Sequence, residues 1–415
     1  MIARVEALNF SCLRYIEQEL DRFHVLVGPN ASGKTTFCDV IRFLGDLVSG
    51  GLEHAITRRT ENLRDLVWQR QGSRFELAIE VALRDEHHRA LQDRIYNRCR
   101  YEVAIGVDPA TEENAILVER VLLTNRPQRP MVQRRLFPEA VAAPESLTLQ
   151  TRGRRVKTVI NKVPGGNDNF YPETGRGWDH VFKLGPRKSA LGNLPEDESK
   201  FPISTWLKRI LMEGVESLVL NSERMRRPSP PGQPKGFRPD GSNLPWVVED
   251  LHRKAPDRLQ EWVAHLRTAL PDLESVRTVE RTEDRHRYLV VEYRGGFSVP
   301  AWMVSDGTLR LLALTLPAYL PDLEGVYLIE EPENGIHPRA VETMYQSLSS
   351  VYSAQVLLAT HSPVILSLAD PEDVLCFART PEGATDIVHG SEHPALRDWK
   401  GETNLGALYA AGVLG

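Results

Sequence analysis

The chain has 415 residues, 41% hydrophobic and 26% charged, a balance that fits a globular protein with a sizeable core and argues against a disordered or fibrous chain. Net charge is -5. No stretch approaches the roughly 20 unbroken apolar residues of a membrane helix, and the opening MIARVEALNF lacks the basic head and apolar run of an export signal, so the expected setting is the cytoplasm, away from membranes.

RVEALNF alternates as a strand, YIEQEL follows as a second, and FHVLVG is a short apolar run ending in glycine. Beyond the next glycine-rich turn, Phe37, Val40, Ile41, Leu44 and Val48 recur at helical spacing, with Gly50-Gly51 expected to stop that helix. Residues 75–83 and 101–107 alternate as strands, and 116–124 can continue their sheet. Residues 125–200, rich in Pro, Gly, Arg and Asn, read as an insertion. A helix and then a strand are predicted over 204–220, a proline-rich loop over 224–243, and one or two helices over 244–270 with a break at Pro256. Residues 288–296 read as a strand. The last third alternates helix, buried strand, helix and buried strand, which implies a parallel sheet covered on both faces. No sustained heptads occur, so no long coiled-coil arm is expected.

Cys12, Cys38, Cys99 and Cys376 lie far apart and form no C-x-x-C pair, which argues against a zinc site or a disulfide framework. Charge is unevenly spread. From Arg120 to Lys188 there are 14 Lys plus Arg against 5 Asp plus Glu, a local +9 that leaves -14 for the remainder. Such asymmetry can mark a surface for nucleic acid. In the proline-rich loop, Arg224, Arg226, Arg227, Lys235 and Arg238 precede any acid until Asp240, as expected of either a solvated loop or a phosphate-binding one.

Four motifs carry chemistry. Gly28-Pro29-Asn30-Ala31-Ser32-Gly33-Lys34-Thr35 fits G-x-x-x-x-G-K-[ST] between an apolar strand and a helix. Backbone N–H groups of such a loop curl around phosphate oxygens, and the helix dipole adds to them. Lys34 would reach the β- and γ-phosphates, and the Thr35 hydroxyl would hold Mg2+. Next, the strand Val326–Ile329 delivers Glu330 and Glu331 at its C-terminal end, where open α/β sheets bind ligands. One carboxylate can hold Mg2+ and the next can polarise the attacking water. His361 follows another apolar strand and can help place that water. Finally, Ser305-Asp306-Gly307-Thr308 heads a helix, where the sequence allows either simple capping or an anion site.

In this order the motifs resemble the ABC ATPase superfamily, and more narrowly its SMC- and RecF-like branch and the AAA_21-type ATPases related to OLD-family proteins. The resemblance covers about 1–50 and 290–370 well and the middle poorly. It implies an α/β fold: an ABC-type P-loop ATPase head with a mixed sheet and an inserted, partly irregular middle region. It further implies ATP and Mg2+ as cofactors, with Asn30, Ala31, Ser32, Gly33, Lys34, Thr35 and Thr36 binding nucleotide. Ser305 and Gly307 would stand as the signature that binds the γ-phosphate held by the other protomer. Thr35 and Glu330 would hold the metal, with Glu331 and His361 catalytic. Glu333 to Pro338 match the region that crosses the dimer interface. Glu330 stands where many ABC proteins carry Asp, and no glutamine loop is evident beyond Gln69 or Gln71 as candidates.

The expected division is 1–120 for the N-terminal lobe, 121–285 for the inserted basic and helical region, and 286–415 for the C-terminal lobe. The stretch after His361 is shorter than the TOPRIM nuclease domain of OLD proteins, so an effector would be a separate protein. Expected partners are therefore a second copy of the chain, DNA, and a nuclease or toxin. One reading is an ATP-driven dimer acting on DNA in repair or anti-phage defence. The alternative is a regulatory scaffold that holds and releases a toxin or nuclease. A membrane transporter's nucleotide subunit is disfavoured by the S-D-G-T and E-E-P-E-N-G stretches.

Overall fold

A computed structural model describes residues 1–91, 95–126, 134–149, 155–175, 179–234, 236–396 and 404–414. Strands β1 (Ile2–Phe10), β2 (Leu13–Glu19) and β3 (Phe23–Val27) lead into helix α1 (Lys34–Thr57). Then come β4 (Arg74–Ala82), α2 (Asp85–Ala90), β5 (Arg98–Val107) and β6 (Asn114–Thr124). The middle holds β7 (Val156–Lys162), β8 (Asp168–Phe170), β9 (His180–Phe182), α3 (Pro202–Glu213), β10 (Val215–Leu218) and α4 (Ser222–Arg226). Helices α5 (Leu244–Lys254) and α6 (Pro256–Leu266) precede β11 (Leu273–Glu280), β12 (Arg287–Tyr293) and β13 (Phe297–Pro300). The last third runs α7 (Asp306–Thr315), β14 (Val326–Glu330), α8 (Pro338–Ser349), β15 (Gln355–Ala359), α9 (Pro363–Leu368), β16 (Val374–Arg379), β17 (Thr385–His389) and α10 (Leu405–Ala410).

The strands form three sheets. The first is antiparallel, eight strands in the order β2-β1-β4-β5-β6-β7-β8-β9. The second has six strands in the order β10-β14-β15-β3-β16-β17, parallel except for β17. A small antiparallel sheet, β11-β12-β13, stands beside α5 and α6. The mixed six-stranded sheet is the one that carries the motifs, and β3 lies in its interior between β15 and β16.

Every residue of β3 is buried, and its two faces serve two cores. Leu26 joins the core shared by α1, α3 and the antiparallel sheet. Phe23, Val25 and Val27 join the core built with α5 to α9. This two-sided burial is why the strand reads as a continuous apolar run. Helix α1 is gripped from both sides: Phe43 meets Phe10 and Phe75 at 5.7 and 5.5 Å, and Phe37 meets Phe377 of β16 at 5.6 Å. Edge contacts of this kind add to plain burial.

Three features differ from the sequence expectation. Gly50-Gly51 do not stop α1: Gly51 takes φ 81°, the helix kinks, and it continues to Thr57. The run 125–200, parts of which lie outside the described residues, adds β7 to β9 to the same antiparallel sheet. The local excess of positive charge is also partly matched inside the molecule. Arg126 meets Glu80 at 2.8 Å, Arg134 meets Asp386 at 2.9 Å, and Arg187 meets Glu113 at 3.1 Å.

The second face of the antiparallel sheet is ionic and buried. Arg100, fully enclosed, contacts Glu6 at 2.8 Å, Glu102 at 2.7 Å and Glu80 at 3.2 Å, and donates to the Leu147 carbonyl at 2.9 Å. Residues 146–149 cover this face, with the Leu147 N–H on Glu76 and the Leu149 N–H on Glu102. Burial pushes the Arg100 pKa down, but hydrogen bonding and charge from Glu6, then Glu102 and Glu80, outweigh it and raise the pKa.

Candidate nucleotide site

The phosphate loop connects the C-terminal end of β3 to the N-terminus of α1. Gly33 caps α1 with φ 104°, a left-handed conformation that favours glycine. A Cβ there would also fall 2.2 Å from Thr385 Oγ1, so the close approach of β17 permits no side chain. The first turn of α1 carries no acid, leaving its N–H dipoles uncompensated toward an anion.

Lys34 is bent into the loop. Its Nζ donates to the carbonyls of Gly28 at 2.8 Å and Pro29 at 3.0 Å. Burial lowers its pKa to about 8 against the opposing pull of Glu331 and Glu330. Such an ammonium gains by exchanging neutral carbonyls for phosphate oxygens. The Ser32 hydroxyl is buried without a partner, the kind of orphaned donor that a phosphate oxygen would satisfy.

Glu330 closes the site from β14. One carboxylate oxygen accepts from Thr35 Oγ1 at 3.0 Å, and the other accepts from Arg42 Nη2 at 2.7 Å. Arg42 also donates to Ser217 of β10 at 2.8 Å. A hydroxyl and a carboxylate in contact, both hard oxygen donors, fit Mg2+. Glu331 follows with φ 48°, its N–H bonded to the Ala359 carbonyl at 2.8 Å and its carboxylate to Asn334 Nδ2. A left-handed non-glycine residue at this position re-aims the side chain away from the strand direction.

Glu333 organises the neighbouring turn. One oxygen accepts from Thr360 Oγ1 at 2.6 Å and from the His361 N–H at 3.4 Å, while the other is buried without a partner. His361 is half-buried. Burial first, then Lys34, lowers its pKa, while Glu331 and Glu333 oppose. The ring therefore stays neutral near pH 7.

These groups share one cavity of about 420 Å3, lined by Asn30 to Thr36, Glu330, Glu331 and His361, with Ser11, Cys12, Ala359 and Arg379. A second cavity, about 660 Å3, opens beside it between Asn30, Glu331, Glu333, Asn334, His361 and Tyr409. Ser305 and Gly307 line neither cavity. Ser305 is exposed and caps α7 by accepting the Thr308 N–H at 3.2 Å, and Gly307 packs against the Gly335 carbonyl. The Gln69 side chain bonds the Glu382 carbonyl at 3.3 Å, and neither Gln69 nor Gln71 reaches either cavity.

Sequence reading missed Arg42, Cys12 and Tyr409. Arg42 stands further along α1 from Lys34, while Cys12 and Tyr409 come from the β1–β2 turn and from α10, so all three roles emerge only from tertiary contacts. Two cations of the proline-rich loop are also engaged: Arg224 pairs with Asp240 at 2.7 Å, and Arg226 pairs with Asp306 beside Ser305. Lys235 lies outside the described residues. Among the described residues no cluster of His, Cys, Asp and Glu could hold a metal by itself, and no helix is long and apolar enough to cross a membrane.

A family model described as "AAA domain, putative AbiEii toxin, Type IV TA system" matches residues 23–90 and 175–367, more than half of the chain. The chain belongs to the AAA_21 family. Two solved structures are similar to this AAA_21 protein. One is the crystal structure of the Smc head bound to the C-winged helix domain of ScpA, 14% identical, TM-score 0.51, aligned over 93% of this chain and 97% of that one. The other is an Smc head domain with an extended coiled coil, bound to the C-terminal domain of ScpA from Pyrococcus furiosus. It is 12% identical, TM-score 0.47, aligned over 93% and 95%. The first supports an ABC-type head as the fold, as the motif order implied. No curated protein matches the chain in sequence.

Proposed function

We propose that this AAA_21 protein binds and hydrolyses Mg-ATP as a homodimer whose closure controls a separate effector or DNA. The observation that carries this reading is the convergence of Lys34, Thr35, Glu330, Glu331 and His361 on one cavity, while Ser305 stands exposed outside it. A signature outside its own site is what a nucleotide sandwiched between two copies requires.

In this reading Lys34 and the loop N–H groups hold the phosphates. Thr35 and Glu330 would hold Mg2+, which supplies charge neutralisation on the phosphate oxygens. Glu331 takes a proton from the attacking water, and Asn334 orients its carboxylate. His361 helps place that water. Asn30, Ala31, Ser32, Gly33 and Thr36 complete the cradle, and Ser305 and Gly307 of a second copy close it.

We place the effector among nucleases or toxins, in anti-phage defence or repair; the family description, which names a toxin system, supports the toxin kind. Direct action on DNA is the second reading. Its support is Arg227 and Arg238, both exposed in the proline-rich loop. The deciding experiment is ATPase assay of the purified full chain with and without DNA, and with whatever protein co-purifies. Lys34→Ala should weaken ATP binding strongly. Glu331→Gln should keep ATP bound and lose roughly 100-fold or more in turnover. Wild-type turnover in Glu331→Gln would remove Glu331 from its role. Stimulation by DNA, steeply reduced by salt, would select the DNA reading.

A further inference from the structure

The last described element, α10, is short and apolar, yet it is tied to the chemistry. Asn404 caps it by accepting the Ala407 N–H at 2.8 Å, and Leu405 at its start and Leu414 beyond its end are buried. Gly406 lies so close to α9 that a Cβ would sit 2.1 Å from the Pro363 carbonyl oxygen. Since α9 begins two residues after His361, α10 is fixed to the same turn that carries the histidine.

This docking brings Tyr409 to the rim of the phosphate loop. Its hydroxyl lies 3.1 Å from His361 Nδ1 and 3.4 Å from the Gly28 carbonyl oxygen. A phenol has a single proton to give. The Gly28 carbonyl already accepts Lys34 Nζ at 2.8 Å and is the more distant of the two. That carbonyl has a second lone pair for the phenol, and the phenol oxygen in turn can accept an imidazole N–H. Both contacts are made together when Tyr409 donates to Gly28 and accepts from the His361 Nδ1–H, which puts the ring proton on Nδ1 and leaves a lone pair on Nε2.

We propose that Tyr409 is a positioning residue for ATP hydrolysis: its phenol, held by the Gly28 carbonyl, fixes His361 as the Nδ1–H tautomer, with the Nε2 lone pair available to accept from the attacking water. The inference rests on the ATPase reading above and extends it to the C-terminal helix. A tyrosine suits the task because its hydroxyl sits at the end of a rigid ring with two rotatable bonds. Phenylalanine would keep the packing of α10 on α9 and remove only the hydroxyl. The tautomer would then be free to exchange, and the ring would lose its fixed acceptor for the water.

The test compares Tyr409→Phe, His361→Ala and the double variant in the full-length chain. Tyr409→Phe should lower kcat about tenfold, the rate equivalent of one hydrogen bond, with KM for ATP within about twofold of wild type. The double variant should be no slower than His361→Ala alone, since Tyr409 acts only through His361. Additive losses, or wild-type kcat in Tyr409→Phe, would overturn the proposal. A second readout is independent of turnover. In histidine-labelled protein, the His361 ring nitrogens should report a single Nδ1–H tautomer that becomes mixed in Tyr409→Phe, and an unchanged signature sinks the idea. If wild-type protein hydrolyses no ATP, the ATPase reading fails, and this nitrogen signature alone decides the role of Tyr409.

Discussion

At the residue scale, Gly33 joins two constraints that a single glycine satisfies: φ of 104° and a Thr385 hydroxyl where a Cβ would go. Gly33→Ala must therefore either push β17 away or collapse the loop. The expected outcome is loss of ATP binding in a titration, by at least about tenfold, while far-ultraviolet circular dichroism stays unchanged because the strain is local. Unaltered affinity would mean that the loop rearranges freely. The phosphate loop, the paired glutamates and His361 were legible in sequence because each occupies a fixed offset from an apolar strand. Arg42, Cys12 and Tyr409 were not, because their roles arise from tertiary contacts. Arg42 reaches Glu330 across 288 positions of sequence, and Tyr409 reaches Gly28 across 381. Arg226 was legible as a cation but not as a partner of Asp306.

At the element scale, the antiparallel sheet has one apolar face on α1 and one ionic face under residues 146–149. Alternation along β1, β4 and β5 was readable in the sequence. What the pattern cannot reveal is the cover, which comes from a segment without periodicity. Burial changes the energetics of that face. Arg100→Met would leave Glu6, Glu80 and Glu102 enclosed without their shared cation. We expect a loss of about 3–5 kcal/mol in unfolding free energy, measured by urea titration, with no change in ATP affinity if the sheet merely supports α1. A loss below about 1 kcal/mol would show that water or Arg126 replaces the missing charge. The kink in α1 belongs to the same scale. Gly50-Gly51 are a stop signal only if nothing holds the far side, and here Leu52, Ala55 and Ile56 remain buried beyond it.

At the scale of the whole molecule, the proposed dimer makes the exposed Ser305 and the enclosed Lys34 two half-sites to be joined by a second copy. Ser305→Arg should leave ATP binding to the monomer intact and abolish ATP-dependent dimerisation, seen by light scattering with a non-hydrolysable analogue. Mixing Lys34→Ala with Ser305→Arg should restore part of the turnover, because a heterodimer regains one site whose loop and signature are both intact. No restoration on mixing would argue against a shared site. The parallel sheet itself was legible from the alternation of the last third. Its order was not: nothing local says that β3 is inserted between β15 and β16.

That placement has a consequence for synthesis. Strand β3 leaves the ribosome early, but both of its neighbours are encoded more than 300 residues later, from Gln355 onward. At roughly 5–20 residues per second, FHVLV waits for tens of seconds with both edges unpaired. An open apolar edge is a template for wrong pairing. Any truncation that ends before Gln355 leaves this strand permanently unflanked, so nascent fragments of the chain should depend on chaperones that the finished protein does not need.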